Sequence, residues 1–165
     1  MVYTMIEELL HLTRRTRQHH AIEHATLHVM SKRVGSSTLS GYSDPFGFTI
    51  FGDTDLESVR RGVGDALLRL QAGEQDLAIH PNCGTNLVAT GFLVTLAALI
   101  AARKRRLFER FVTMLFWVLP MLIAGKALGM HLQQYTTLAN VSDRWVVDVL
   151  PIRIGKLRAY RVLFE

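Results

Sequence analysis

The chain has 165 residues and a mass of 18.6 kDa, with 49% in the AVILMFWYC class and 20% charged. That leaves room for one modest domain, or a small domain with a membrane anchor, and excludes a two-domain enzyme. The single cysteine, Cys83, excludes an intramolecular disulfide framework and a four-cysteine zinc module. The net charge of +5 is unevenly placed: residues 1–85 hold eight Lys/Arg against ten Asp/Glu, whereas residues 103–110 hold five basic residues and one acid. Basicity therefore belongs to one short loop and does not point to a nucleic-acid partner.

In chain order, MVYTMIEELLHLTRR does not have the layout of a cleavable signal peptide, because its basic residues follow the apolar ones and Glu7 and Glu8 interrupt them. Met5, Ile6, Leu9, Leu10 and Leu12 suggest an amphipathic turn or two, packed or lying on a membrane surface. A helix is predicted from near Thr16 to Arg33, ending before Gly35-Ser36-Ser37. Two short strands, Thr38–Tyr42 and Phe46–Phe51, flank Ser43-Asp44-Pro45. The next helix starts at Thr54, where Thr54-x-x-Glu57 reads as a capping box; Leu56, Val59, Val63, Leu67 and Leu70 line one face and Gly73 stops it.

Thr85–Ala102 has no charged residue and Phe111–Met130 has one, Lys126, so each is predicted to cross a bilayer of roughly 30 Å. Beyond them, Trp145–Ile154 and Leu157–Phe164 are strand-like and are separated by Gly155-Lys156, which suits a type II′ turn. Pro151 places the first of these on an edge or interrupts it. The expected class is α+β: a polar metal-site domain over residues 1–84, a transmembrane helical hairpin over 85–130, and a C-terminal β-hairpin over 131–165 that packs on the polar domain.

The densest chemical signal is QHHAIEHATLH, with four of the seven histidines in ten positions. At about 100° per residue, His20, His24 and His28 share a sector of about 80°, opposite Ile22 and Val29. Two imidazoles at i and i+4 can grip one ion, and His20-x-x-Glu23-His24 has the H-x-x-E-H order of inverted zinc peptidases. Farther on, His80-Pro81-Asn82-Cys83-Gly84 is a turn that can bring His80 and Cys83 together, as in zinc knuckles. The metal-ligand candidates are therefore His20, His24, His80 and Cys83, a mixed nitrogen and sulfur set for which Zn(2+) is the first choice. All four would close a tetrahedral site. With water replacing one of them and Glu23 adjacent, the site would be open and catalytic.

HAIEHATLHV together with DLAIHPNCGTN resembles an uncharacterised bacterial membrane-protein family, a domain of unknown function with paired HxxEHAT and HPxCGTN motifs. The resemblance runs from about Arg17 to the C-terminal strands. It implies that His20, Glu23, His24, His80, Cys83, Gly84 and Thr85 are the family's marked positions, and that His19 and His28 fall outside the shared pattern. It names no reaction.

Two functions follow. In one, a small integral membrane protein holds a zinc-type His/Cys site at the lipid surface and has a binding, assembly or structural role in a larger membrane complex, with the bilayer as its other partner. In the alternative it is a membrane-bound zinc hydrolase, metallopeptidase-like, with Glu23 as general base. The positive-inside rule puts the basic loop in the cytoplasm and the metal site outside; a reduced thiol favours the opposite placement.

Overall fold

The computed structural model describes residues 2–34, 39–104 and 106–165. The Gly35-Ser36-Ser37 break, Thr38 and Arg105 of the basic loop lie outside the described residues. In chain order the elements are α1 (Val2–Val34), β1 (Ser40–Asp44), β2 (Gly47–Phe51), α2 (Leu56–Gln71), a 3-10 turn (Gln75–Ala78), α3 (Gly84–Ala102), α4 (Leu107–Thr136), β3 (Val146–Ile154) and β4 (Leu157–Phe164). The class is α+β, with the two long apolar helices consecutive in the chain and strands at the C-terminus.

Two compact units emerge. One runs to His80 and resumes at Thr136–Glu165; the other is Pro81–Tyr135. In the first, the strands form one antiparallel sheet in the order β1-β2-β4-β3, so the C-terminal hairpin is joined edge to edge to the N-terminal one. Gly47, at φ 154°, lets β2 run so close to β4 that a Cβ there would strike the Val162 carbonyl. Gly155 has φ 62° and Lys156 a negative φ, consistent with the type II′ turn. Pro151 falls on β3, an edge strand, where its missing N–H is tolerated.

Apolar faces converge on this sheet. Ile22, Ala25, Val29 and Met30 of α1, Val59, Val63 and Leu70 of α2, Phe48 and Ile50 of β2, and Val162 and Phe164 of β4 share one core. Gly62 of α2 sits where a Cβ would collide with Met30, which fixes the close approach of the two helices.

Three sequence expectations change. The amphipathic opening and the histidine segment are one continuous helix, since no glycine or proline interrupts residues 2–34. The cap of α2 is Asp55, not Thr54: the Asp55 carboxylate accepts from the Ser58 N–H at 2.8 Å, while the Thr54 carbonyl accepts from the Tyr160 hydroxyl at 2.6 Å. The first hairpin turns at Pro45-Phe46, because Ser43 and Asp44 still pair across to Phe48 and Gly47.

In the second unit, α3 has 19 residues and α4 has 30, and both are long and apolar enough to cross a membrane. At 1.5 Å per residue they extend roughly 28 and 45 Å. Both exceed their predicted bounds, α3 starting at Gly84 and α4 running from Leu107 to Thr136 with Pro120 inside it. The two helices meet through small residues: a Cβ on Gly125 would strike Thr90, and one on Gly129 would strike Asn86. Gln133 donates to the buried Asn86 side chain at 2.9 Å.

Candidate metal centre

Within the first unit α1 presents its histidines on two faces. On one, His20 and His24 lie a helical turn apart with ring centroids 4.3 Å from each other. Both rings are oriented from behind by backbone: His20 Nδ1 lies 3.1 Å from the Thr136 carbonyl, and His24 Nδ1 lies 2.7 Å from the Ala78 carbonyl. A carbonyl only accepts, so each Nδ1 carries the proton and each Nε2 keeps its lone pair. This is the arrangement that readies an imidazole for a metal, with its other nitrogen tied to a backbone or carboxylate acceptor. His24 is buried at 1% exposure, and His20 is partly exposed.

His28, one turn farther along, uses its Nε2 on the Ile79 carbonyl at 2.7 Å. His80 joins the same row of rings, with centroids 4.8 Å from His28 and 5.7 Å from His24. Its pKa is pushed down to about 4, first by burial and then by the neighbouring His28 and His24. It is therefore a neutral imidazole at neutral pH.

Cys83 belongs to the second unit, where it caps α3. Its sulfur accepts from the Thr85 N–H at 3.4 Å, and the residue is buried at 7% exposure. A helix N-terminus favours anionic groups. Behind it, Asn86 donates to the Pro81 carbonyl at 2.7 Å and closes the Pro81–Asn86 turn. Among the described residues, His20 and His24 of the first unit and Cys83 of the second are side chains able to ligate a metal ion.

Glu23 reaches strand β1. It is 5% exposed and accepts from the Ser43 hydroxyl of β1 at 2.5 Å, above Gly41, where any Cβ would collide with its carboxylate. The H-x-x-E-H pattern carries no sign of this, since the strand that receives Glu23 lies about 20 residues away. The backbone acceptors behind the two histidines were equally invisible in sequence, because carbonyls at positions 78 and 136 leave no side-chain signature.

The family profile described as a domain of unknown function, DUF6391, matches residues 15–149. This chain belongs to the DUF6391 family. The matched region contains His20, Glu23, His24, His80 and Cys83 and both apolar helices, and it ends within β3. A protein of Picosynechococcus sp., described as uncharacterized, is 42% identical over 83 residues, covering 45% of this chain and 40% of that protein. The DUF6391 chain thus matches less than half the length of this relative. No solved structure matches it.

Proposed function

We propose that this DUF6391 protein is a small integral membrane protein that carries a zinc-type ion on His20, His24, His80 and Cys83. The ion has a binding, assembly or structural role in a membrane complex. The observation that carries this reading is the pair of backbone carbonyls behind His20 and His24, which orient both rings through Nδ1 on one face of α1. Neutral His80 beside His24 suits the remaining nitrogen position, and a mixed nitrogen and sulfur donor set suits zinc. The absence of a polar stripe on α3 and α4 supports insertion in lipid.

The hydrolase alternative needs Glu23 to work on metal-bound water. Its carboxylate instead holds Ser43 and packs over Gly41, which supports a structural part for it. The experiment is elemental analysis of the detergent-purified protein together with thermal unfolding after chelation. One zinc per chain in wild type and in Glu23→Gln, lost from His24→Ala and Cys83→Ser, is the expected result. A metal-free wild type, or unfolding unaffected by chelation, contradicts the proposal.

A further inference from the structure

The face of α1 turned away from His20 carries a second polar cluster. Arg15, Gln18 and His19 follow one another along it, and His19 is fully buried and stacks on Phe164 at 4.9 Å between ring centroids. His19 Nδ1 donates to the Asp44 carbonyl at 2.9 Å, so Nε2 is an acceptor. Gln18 Nε2 donates to Asp143 at 2.6 Å and to the Asn140 carbonyl at 2.9 Å. Asp143 also takes Arg144 Nη2 at 3.3 Å and Arg14 at 3.2 Å, which brings the 140–144 segment against this face.

What these bonds leave over is chemically uneven. Arg144 is 9% exposed, yet its Nε and Nη1 have no hydrogen-bond partner among the described residues, and neither does Arg15 Nε. On the accepting side, His19 Nε2 and Gln18 Oε1 are buried and equally without a partner. Buried polar groups are nearly always satisfied, and Arg144 is satisfied only through Nη2 on Asp143. Arg14 and Arg144 share the Asp143 carboxylate, and the Asp44 carboxylate near His19 is already paired with Arg161.

We propose that Arg15, Arg144, His19 and Gln18 form a receptor for a small oxyanion of the phosphate class that still carries one O–H. The anionic oxygens accept from Arg15 Nε and from one edge of the Arg144 guanidinium, through Nε or Nη1. The O–H donates to His19 Nε2 or Gln18 Oε1. Gln18 Oε1 cannot take up a proton, and its amide nitrogen is already held by Asp143 and Asn140, so it repels an anion that has no proton to give and favours hydrogen phosphate over sulfate although the two are almost the same size. The cluster is separate from the metal centre: His19 and His20 are about 100° apart around the helix.

The test is thermal unfolding of the full-length protein in detergent, titrated with inorganic phosphate or with sulfate at matched ionic strength near pH 7. Phosphate is expected to raise the melting temperature saturably and sulfate to leave it unchanged. Arg144→Gln and Arg15→Gln should each weaken the apparent phosphate affinity by roughly tenfold or more. Should Arg144→Gln fail to fold, the less buried Arg15→Gln carries the comparison alone. An equal shift with sulfate, no shift with phosphate, or a phosphate shift that survives substitution of the arginines overturns the proposal.

Discussion

The two units use the same residue types in opposite senses. Around the sheet, large apolar side chains such as Ile22, Phe48, Ile50 and Val162 are fully buried. Along α3 the buried positions are Asn86, Ala89, Ala97 and Ala101, whereas Leu87, Val88, Phe92 and Leu99 face outward. Helix α4 repeats this: Gly125, Gly129 and Gln133 are buried, and Phe108, Phe116 and Ile123 are exposed. Water drives apolar surface into a core, whereas α3 and α4 spend small and polar residues on close contact and leave the large ones outside, the pattern expected of helices that pack in lipid. The first unit also buries a costly polar set, His19, His24, Glu23 and Arg144, which a hydrophobic core of its size does not require.

The sharpest contrast expected between the units is their response to chelation. Removing the ion should lower the melting temperature of the sheet unit by on the order of 10 °C, while far-ultraviolet helicity from α3 and α4 persists in detergent. Coincident loss of both, or of neither, would erase the distinction.

The next effect belongs to the helix pair alone. Gly125→Leu or Gly129→Leu drives a side chain into Thr90 or Asn86, including their Cα atoms. A cost of about 2–3 kcal/mol is expected from such overpacking, read as faster proteolysis between α3 and α4 with the metal content unchanged.

A smaller effect lies in the sheet unit. Asp44 pairs with Arg161 at 2.7 Å, with both side chains mostly buried. Burial pushes its carboxyl upward, but the Arg161 hydrogen bond and the Phe46 and Gly47 N–H groups outweigh burial and hold it below the usual range. A carboxylate with a depressed folded pKa contributes stability that is full above the unfolded value of about 3.9 and is lost as pH falls through the folded value. Asp44→Asn should cost about 1–2 kcal/mol at pH 7 and should flatten the loss of stability below pH 4, measured by denaturant unfolding across that range. The smallest effect is expected from Glu23→Gln, which keeps a polar partner for Ser43 and should leave metal content as in wild type.

Most of the architecture was legible because period and punctuation agreed with the final fold. The alternation over 145–164 with Gly155-Lys156 between its halves, the stripe from Leu56 to Leu70, and two runs without charge each translate directly into an element. The misplacements have physical causes. Asp55 outcompeted Thr54 as a cap because a carboxylate accepts a backbone N–H more strongly than a hydroxyl does, and α1 did not divide because nothing in it breaks a helix. At the candidate site, the spacing of His20 and His24 was readable. The second face of α1 was not, because His19, Gln18 and Arg144 owe their meaning to strand β4 and to the 140–144 segment, more than 120 positions away. The contact of Glu23 with Ser43 was hidden for a similar reason: Ser43 lies on a strand that no local pattern connects to Glu23.

The central claim, that one thiolate and the imidazoles of α1 bind the same ion, is tested most directly by loading the detergent-purified protein with cobalt(II) and recording its electronic spectrum. The account predicts a thiolate-to-cobalt charge-transfer band with tetrahedral d–d bands in wild type. The charge-transfer band should vanish in Cys83→Ser, the d–d bands should change in His24→Ala, and both should be retained in His28→Ala. A spectrum unchanged in Cys83→Ser would contradict it.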